Sequence, residues 1–368
     1  MTNKTFHPLF SRSLIAGAVL AMTAGFAQAQ SSVTLYGRLD AGVTYTSDPS
    51  QNLETGTVSN DSKVEVSNGN YRPSIWGMKG SEDLGGGMSA FFNLESHIRA
   101  DTGRFDNAGQ LFRRQANVGI KSSMGTVTLG RQFSPAVIPE FSTDPRAMKE
   151  DMSGLYAFAL MQAPNSDGVN GNDLGIFVSN AVSYSNTFGP VSFGALISAG
   201  EAQTGKTYAL GGTLNAGFAT FSGSFQRVED VANDNDGTDY YSVGAAVPLG
   251  SFALKGIYRE SKTEVAGIEV IKLQNYAVGV DFKWNPSNLL TVSYYSTKDD
   301  AALLEDETNS IIVSNDYSLS KRTTLYAQAA FVDPSDNASV LTSHHWIERS
   351  PVAREKTTIF TVGISHSF

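Results

Sequence analysis

The last twelve residues alternate between two kinds of side chain. Phe360, Val362, Ile364 and the terminal Phe368 fall on one face of an extended chain, and Ile359, Thr361, Gly363 and Ser365 fall on the other, because a strand sends successive side chains to opposite sides. Such a segment has one apolar face and one face of mostly small or polar groups, as a wall between lipid and water requires. A strand in that setting cannot have a free edge. Each unpaired backbone group in hydrocarbon costs several kcal/mol, so the sheet has to close on itself.

The same alternation recurs upstream. From 33 to 45 the odd positions read Val33, Leu35, Gly37, Leu39, Ala41, Val43, Tyr45, while Arg38 and Asp40 fall on the even face. Comparable stretches are 88–98, 219–225 and 276–284. One such segment would also suit a sandwich with a solvated face. The connectors exclude that reading. Seven short Gly, Pro and Asn turns, at 83–87, 122–125, 186–190, 215–217, 248–251, 285–288 and 318–323, take turns with eight long polar connections, at 46–70, 100–110, 132–175, 199–206, 228–238, 260–272, 298–308 and 333–355. Fifteen connections join sixteen strands. Short turns on one side and long loops on the other mark an all-β fold, a transmembrane antiparallel β-barrel. Tyr45, Trp76, Tyr184, Tyr258, Trp284 and Tyr294 at strand ends suit its interfacial girdles.

The N-terminus reads as an export signal. Lys4 and Arg12 precede an uncharged apolar run of 13 residues, 14–26, which ends at Ala27-Gln28-Ala29. The run is too short for a membrane helix, which needs about 20 residues, and carries an A-x-A cleavage site. The expected organisation is a cleaved signal peptide, 1–29, and a barrel, 30–368. Cysteine is absent, which removes disulfides, thiolate nucleophiles and Cys-ligated metals. The formal charge is −9, two units more negative without Lys4 and Arg12, so nucleic acid is a poor partner for this chain.

Six stretches in order along the chain, "SSVTLYGRLDAGVTY", "WGMKGSEDLGGGMSAFFNLES", "LFRRQANVGIKSSMGTVTLGRQF", "SNAVSY", "YSLSKRTTLYAQAAFV" and "FTVGISHSF", resemble the general diffusion porins of Gram-negative bacteria, particularly the trimeric sixteen-stranded type of β-proteobacteria. The resemblance implies a homotrimer of independent pores in the outer membrane, each passing ions and small hydrophilic solutes. It also implies a third loop folded into the lumen as a constriction. The terminal Phe368 resembles the family's assembly signal, and Arg131 matches a wall arginine of its constriction. Ile75 and Phe177 stand where relatives commonly carry lumen arginines.

The residues themselves make 132–175 the segment to watch. It is the longest connection, well beyond the 12–15 residues above which loops are usually functional or disordered. Phe133, Val137, Ile138, Phe141, Leu155, Tyr156, Phe158 and Leu160 give it too many apolar groups for a solvated tail. It should therefore pack against the inner wall. Its acids Glu140, Asp144, Glu150 and Asp151 surround Arg146 and Lys149, and are expected to bias the pore toward cations. Alternation points Arg38, Asp40, Lys79, Glu95, Arg113, Lys121, Lys255, Arg259 and Asp281 into the lumen, where fixed charge sets ion preference. Phe177 is expected on the same wall. Arg131 shares the parity of the lipid-facing Val127 and Leu129, so a bulge at Gly130 is needed to turn it inward.

No enzymatic constellation stands out. G-x-S-x-G and H-E-x-x-H are absent. His344, His345 and Glu348 are the nearest approach to a metal set and read as solvated surface residues, so no cofactor or metal is expected. Other barrel functions remain as alternatives: a substrate-selective channel of the same fold, an outer-membrane barrel enzyme, or an adhesin. A barrel hydrolase would need Ser and His paired on the lipid-facing wall, and an adhesin would not need the long apolar and acidic third loop.

Overall fold

A computed structural model describes the chain except residues 1–31, 48–49, 53–57, 60–61, 107–108, 162–174, 201–204, 230–235, 302–305, 339–348 and 352–355. The export signal and His344, His345 and Glu348 lie outside the described residues. Sixteen strands form the wall: β1 (Ser32–Thr46), β2 (Ile75–Gly85), β3 (Met88–His97), β4 (Gln115–Ser122), β5 (Gly125–Phe133), β6 (Ala181–Phe188), β7 (Val191–Ser198) and β8 (Thr207–Asn215) in the first half. The second half holds β9 (Thr220–Glu229), β10 (Gly237–Leu249), β11 (Phe252–Val265), β12 (Ile268–Asn285), β13 (Asn288–Asp299), β14 (Glu307–Ser318), β15 (Thr323–Pro334) and β16 (Thr357–Ser367). Each pairs antiparallel with its chain neighbours. The sheet closes where β1 meets β16, in register from Arg38 opposite Ser367 to Thr46 opposite Ile359.

Period two governs the wall. Val33, Leu35, Leu39 and Val43 are exposed on β1, as are Tyr276 and Val278 on β12 and Phe360, Val362 and Ile364 on β16. Between them Asp40, Thr44, Asn275, Ala277, Thr361 and Ser365 are buried. Apolar side chains thus coat the outside and mostly polar ones line the inside, the reverse of a water-soluble barrel and the pattern of a membrane one. Exposed rings mark both rims: Tyr45, Tyr241, Tyr294, Phe331 and Phe360 near the long connections, and Phe188, Phe252, Trp284 and Tyr317 near the tight turns.

All seven tight turns join the expected strands. The connection expected at 260–272 is different. β11 and β12 continue as a paired ribbon to Val265 opposite Ile268, closed by Ala266 and Gly267 at φ +53° and +75°. Two residues with positive φ make the tight turn that matches the right-handed twist of a hairpin. The sequence there signalled a loop because a ribbon standing beyond the membrane, exposed on both faces from 264 to 270, has no inner face to reveal it.

Two further short strands cover an edge. Lys63–Asn68 pairs with the second half of β1, while β2 pairs with the first half. Phe177–Val178 adds to β5 opposite Gln132 and Phe133. The described residues of 132–175 include two helices, α1 (Glu140–Thr143) and α2 (Gly154–Leu160).

Candidate functional site

Residues 133–161 run along the polar face of the wall, touching one stave after another. Pro135 stands against β7 and β8. The Ser134 hydroxyl donates to Gln226 of β9, and Ser224 Oγ donates to the Ala136 carbonyl at 2.6 Å. Thr143 and Ser222 share a hydroxyl bond of 2.6 Å. Further on, Arg146 donates to Ser314 of β14 and Gln328 of β15 at 2.7 and 2.8 Å. All of these wall residues belong to the inward alternation set.

Apolar side chains of the segment meet apolar ones at the start of the same path. Ala136, Val137, Met148, Leu155, Phe158 and Met161 form one buried cluster with wall residues such as Leu196, Ala209, Tyr240 and Leu273. Phe133 and Phe141 pack against it in part, and Phe158 meets the Tyr240 ring edge-on, centroids 4.9 Å apart. Each large side chain taken from water contributes about 1.5–3 kcal/mol. Of the apolar residues expected to pack, the side chains of Tyr156 and Leu160 lie outside the described ones, and Ile138 does not pack. It is 56% exposed, and it projects into two open cavities of about 510 and 480 Å³ beside the segment.

Two charged anchors fix the segment. At the first, Arg259 of β11 donates through Nε to Glu140 Oε2 at 2.7 Å and through Nη2 to Asp144 Oδ2 at 3.0 Å. None of the three is exposed. Tyr240 donates to the second Glu140 oxygen and Tyr295 to Asp144 at 3.1 Å. The backbone N–H groups of Arg146, Met148 and Gly154 also donate to Asp144. A buried carboxylate is tolerable only when paired and hydrogen-bonded to this extent. Gly154 is glycine for want of room, since a Cβ there would meet Arg259 and Asp144.

At the second anchor Lys149 reaches Asp316 of β14 at 2.7 Å and lies 4.9 Å over the Tyr71 ring. Burial lowers its pKa to about 8, against the opposing attraction of Asp316. The N–H groups of Glu150 and Asp151 donate to the carbonyls of Tyr71 and Asn70. That return of the first connection is itself tied down by Asp40. The Asp40 carboxylate accepts from Tyr326 at 2.8 Å and from the N–H groups of Tyr71 and Arg72. Between the anchors Ala147 and Met148, and after them Met152, hold positive φ. Conformations that cost about 1–3 kcal/mol each persist only where surrounding contacts over-determine them.

The four acids therefore do not form one water-facing set. Glu140 and Asp144 are sealed at the first anchor. Glu150 and Asp151 are each 7% exposed, and burial raises the Glu150 pKa despite the opposing pull of Arg114, Arg113, Arg38 and Arg72. Sequence reasoning missed the Arg259 partnership because its members lie 119 and 115 positions apart. It also missed Arg72 and Arg114, which lie outside the staves and so outside the alternation. Arg114 pairs with Glu95 at 2.7 Å, and Tyr36 donates to the other Glu95 oxygen at 2.9 Å.

Arg113 lies outside the strands too, just before β4, and pairs with Asp106. Arg38 donates to the Pro73 carbonyl and Arg72 to that of Ala147. Asp281 holds Lys255 at 2.8 Å. Lys79 sits 5.0 Å over the Tyr36 ring. Lys79 lines one open cavity and Lys121 the other, and neither lining contains a carboxylate.

Arg131 keeps lipid parity in an unbroken register with β4, opposite Ala116. The irregularity lies on its other side. The pairing runs from Val182 opposite Leu129 to Val178 opposite Gln132, which leaves one extra residue around Asn180, at φ +53°. Gly130 itself has φ +108°. The guanidinium is buried, donating to the Arg113 carbonyl and to Ser179 Oγ. It stands 5.8 Å from the Phe177 ring, which Arg114 approaches to 4.9 Å. Phe177 is buried against Phe133, centroids 4.5 Å apart.

A closed antiparallel barrel of sixteen strands is also what comparison with known proteins finds. Outer membrane porin protein 32 of Delftia acidovorans is 29% identical over 97% of this chain and 99% of its own length. The structure of an anion-selective porin from Comamonas acidovorans superposes with a TM-score of 0.75 at 26% identity, covering 92% of this chain and all of that one. The trimer form of OmpT, an outer membrane protein of Vibrio cholerae, gives a TM-score of 0.68 at 14% identity over 92% of this chain and 99% of its own, a likeness of fold. The family model for Gram-negative porins matches residues 16–337. The chain belongs to the Gram-negative porin family, the diffusion channels of the outer membrane.

Proposed function

We propose that segment 132–175 narrows this channel and that the narrowed passage prefers anions. The observation that carries the preference is the lining of the two cavities beside the segment: Lys79 and Lys121 face them, and no carboxylate does. Glu140 and Asp144, two of the four acids that suggested a cation bias, are sealed against Arg259 and contribute little field to the water path. Among the described residues Arg38 and Arg72 bond to backbone carbonyls and to no carboxylate. A narrow, low-dielectric passage focuses the field of such charges. Screening limits their reach to about 10 Å at 0.1 M salt, so the charges at the passage outweigh the net charge of the chain. The similar Comamonas structure is named anion-selective, which agrees with this reading.

The assembly is proposed to be a homotrimer set in outer-membrane lipid, in keeping with the trimer form of the structurally similar OmpT. Its solutes are small hydrophilic molecules and ions.

Reversal potentials across a salt gradient test the preference. The wild-type channel is expected to favour anions, and the variant Lys79→Gln with Lys121→Gln to shift toward cations, more so in dilute salt. A cation-selective wild type, or a ratio unmoved by the double substitution, would return the selectivity to Glu150 and Asp151.

A further inference from the structure

Four glycines on the inner face of the wall lie under the docked segment, and none has the positive φ that would require glycine. A Cβ on Gly194 of β7 would stand 3.1 Å from Pro135 Cβ, and one on Gly211 of β8 would stand 2.9 Å from Pro139 Cγ and press on the Pro135 backbone. On Gly244 of β10 it would come within 2.5 Å of Thr143 Oγ1, and on Gly279 of β12 within 2.6 Å of Pro145 Cβ. Carbon atoms at rest keep about 3.5–4.0 Å apart, so at the last three positions any side chain displaces the segment.

Glycine in a strand weakens it by roughly 0.5–1 kcal/mol relative to alanine and often marks a close approach of another backbone. Here one segment approaches all four staves, in the order in which it passes them. We infer that Gly194, Gly211, Gly244 and Gly279 are a seat cut into the wall, and that its depth sets how far the segment projects into the lumen and hence the width of the channel. This rests on the reading of the segment as the constriction.

The wall is a continuous hydrogen-bonded sheet, while the segment is held at two anchors. A side chain added at Gly211 or Gly244 therefore moves the segment rather than the wall, and the direction open to it is the lumen; at Gly279 it also meets the Val292 carbonyl of β13 at 2.9 Å. The gap needed at Gly244 is about 1 Å beyond the present one. Outward-facing glycines supply the contrast. A Cβ on Gly223 meets nothing nearer than 3.9 Å, and one on Gly256 nothing nearer than 3.5 Å.

Single-channel conductance in planar bilayers tests the inference, with heat-modifiable migration confirming that each variant is folded. Gly211→Ala, Gly244→Ala and Gly279→Ala are each expected to lose conductance, while Gly223→Ala and Gly256→Ala keep the wild-type value. Thr143→Gly removes the segment atoms that Gly244→Ala would strike, leaving only the rotatable Ser222 hydroxyl of the wall, so the pair is expected to regain conductance that Gly244→Ala alone loses. Folded variants at all three seat positions with wild-type conductance would overturn the seat. Failure of the constriction itself is read separately, from the current response to thiol labelling of Ile138→Cys, whose side chain is not among the nearest neighbours of a Cβ at any of these glycines.

Discussion

Arg259→Leu will turn a steadily open channel into one that flickers and partly closes at voltages the wild type tolerates. Two carboxylates with no solvent exposure share this one guanidinium. Removing one partner of a buried ion pair costs roughly 3–5 kcal/mol, most of it the penalty of leaving the other charge buried and unpaired. Tyr240, Tyr295 and three backbone N–H groups still donate to Glu140 and Asp144, but neutral donors do not cancel the charge. The acids regain water only if α1 leaves the wall. The barrel should survive, because Arg259 lies in the inner face and makes no contact on which closure of the sheet depends. Glu140→Gln with Asp144→Asn in the same chain removes the stranded charges and should quieten the current. Unchanged single-channel traces for Arg259→Leu would show that the apolar cluster alone holds the segment.

Deleting Phe368 will cost most of the folded yield in the outer membrane. The last residue closes the seam. Its N–H donates to the Gly37 carbonyl at 3.0 Å, and the Gly37 N–H donates back to its carbonyl at 3.3 Å. Its ring lies beside Gly37, where a Cβ would come within 2.9 Å of Phe368 Cε2. In lipid an unpaired backbone group costs several kcal/mol. Two lost bonds at the closing seam therefore predict a drop of about tenfold or more, a factor that needs only 1.4 kcal/mol. Deleting Phe177, which packs against Phe133, Arg114 and Arg131 away from the seam, should reduce yield far less. Heat-modifiable protein in outer-membrane fractions gives the comparison, and equal yields would remove the seam argument.

The wall was legible in the sequence because lipid outside and water inside impose period two on nearly every stave. That is why Val33 to Tyr45 and Thr357 to Phe368 sort by parity alone, and why six of the seven tight turns fall where Gly, Pro or Asn stands. Legibility ends where the chain leaves the membrane. Beyond Thr263 the ribbon around Ala266 and Gly267 is exposed on both faces, so its alternation carries no inside-to-outside signal.

The segment shows a different limit. Its apolar content foretold docking, and Val137, Leu155 and Phe158 are buried as that content requires. Two of its acids, Glu140 and Asp144, read as free charges because composition counts carboxylates without their partners. Only the fold brings Arg259 to Glu140 and Asp144. Likewise a strand glycine reads as a weak point until Pro135, Thr143 or Pro145 is seen above it.

Thiol modification of Ile138→Cys tests most directly whether the segment lies in the water path. The chain contains no cysteine, so one introduced thiol is the sole target. Ile138 is 56% exposed and borders both open cavities. A methanethiosulfonate reagent added to a conducting channel should step the current down as a charged group attaches in the passage. A negatively charged adduct should lower the anion preference and a positively charged one should raise it. The same reagents on Val362→Cys, on the lipid-facing side of β16, should leave the current unchanged. A current through Ile138→Cys that labelling, verified by mass, leaves untouched would place the segment outside the path and contradict the account.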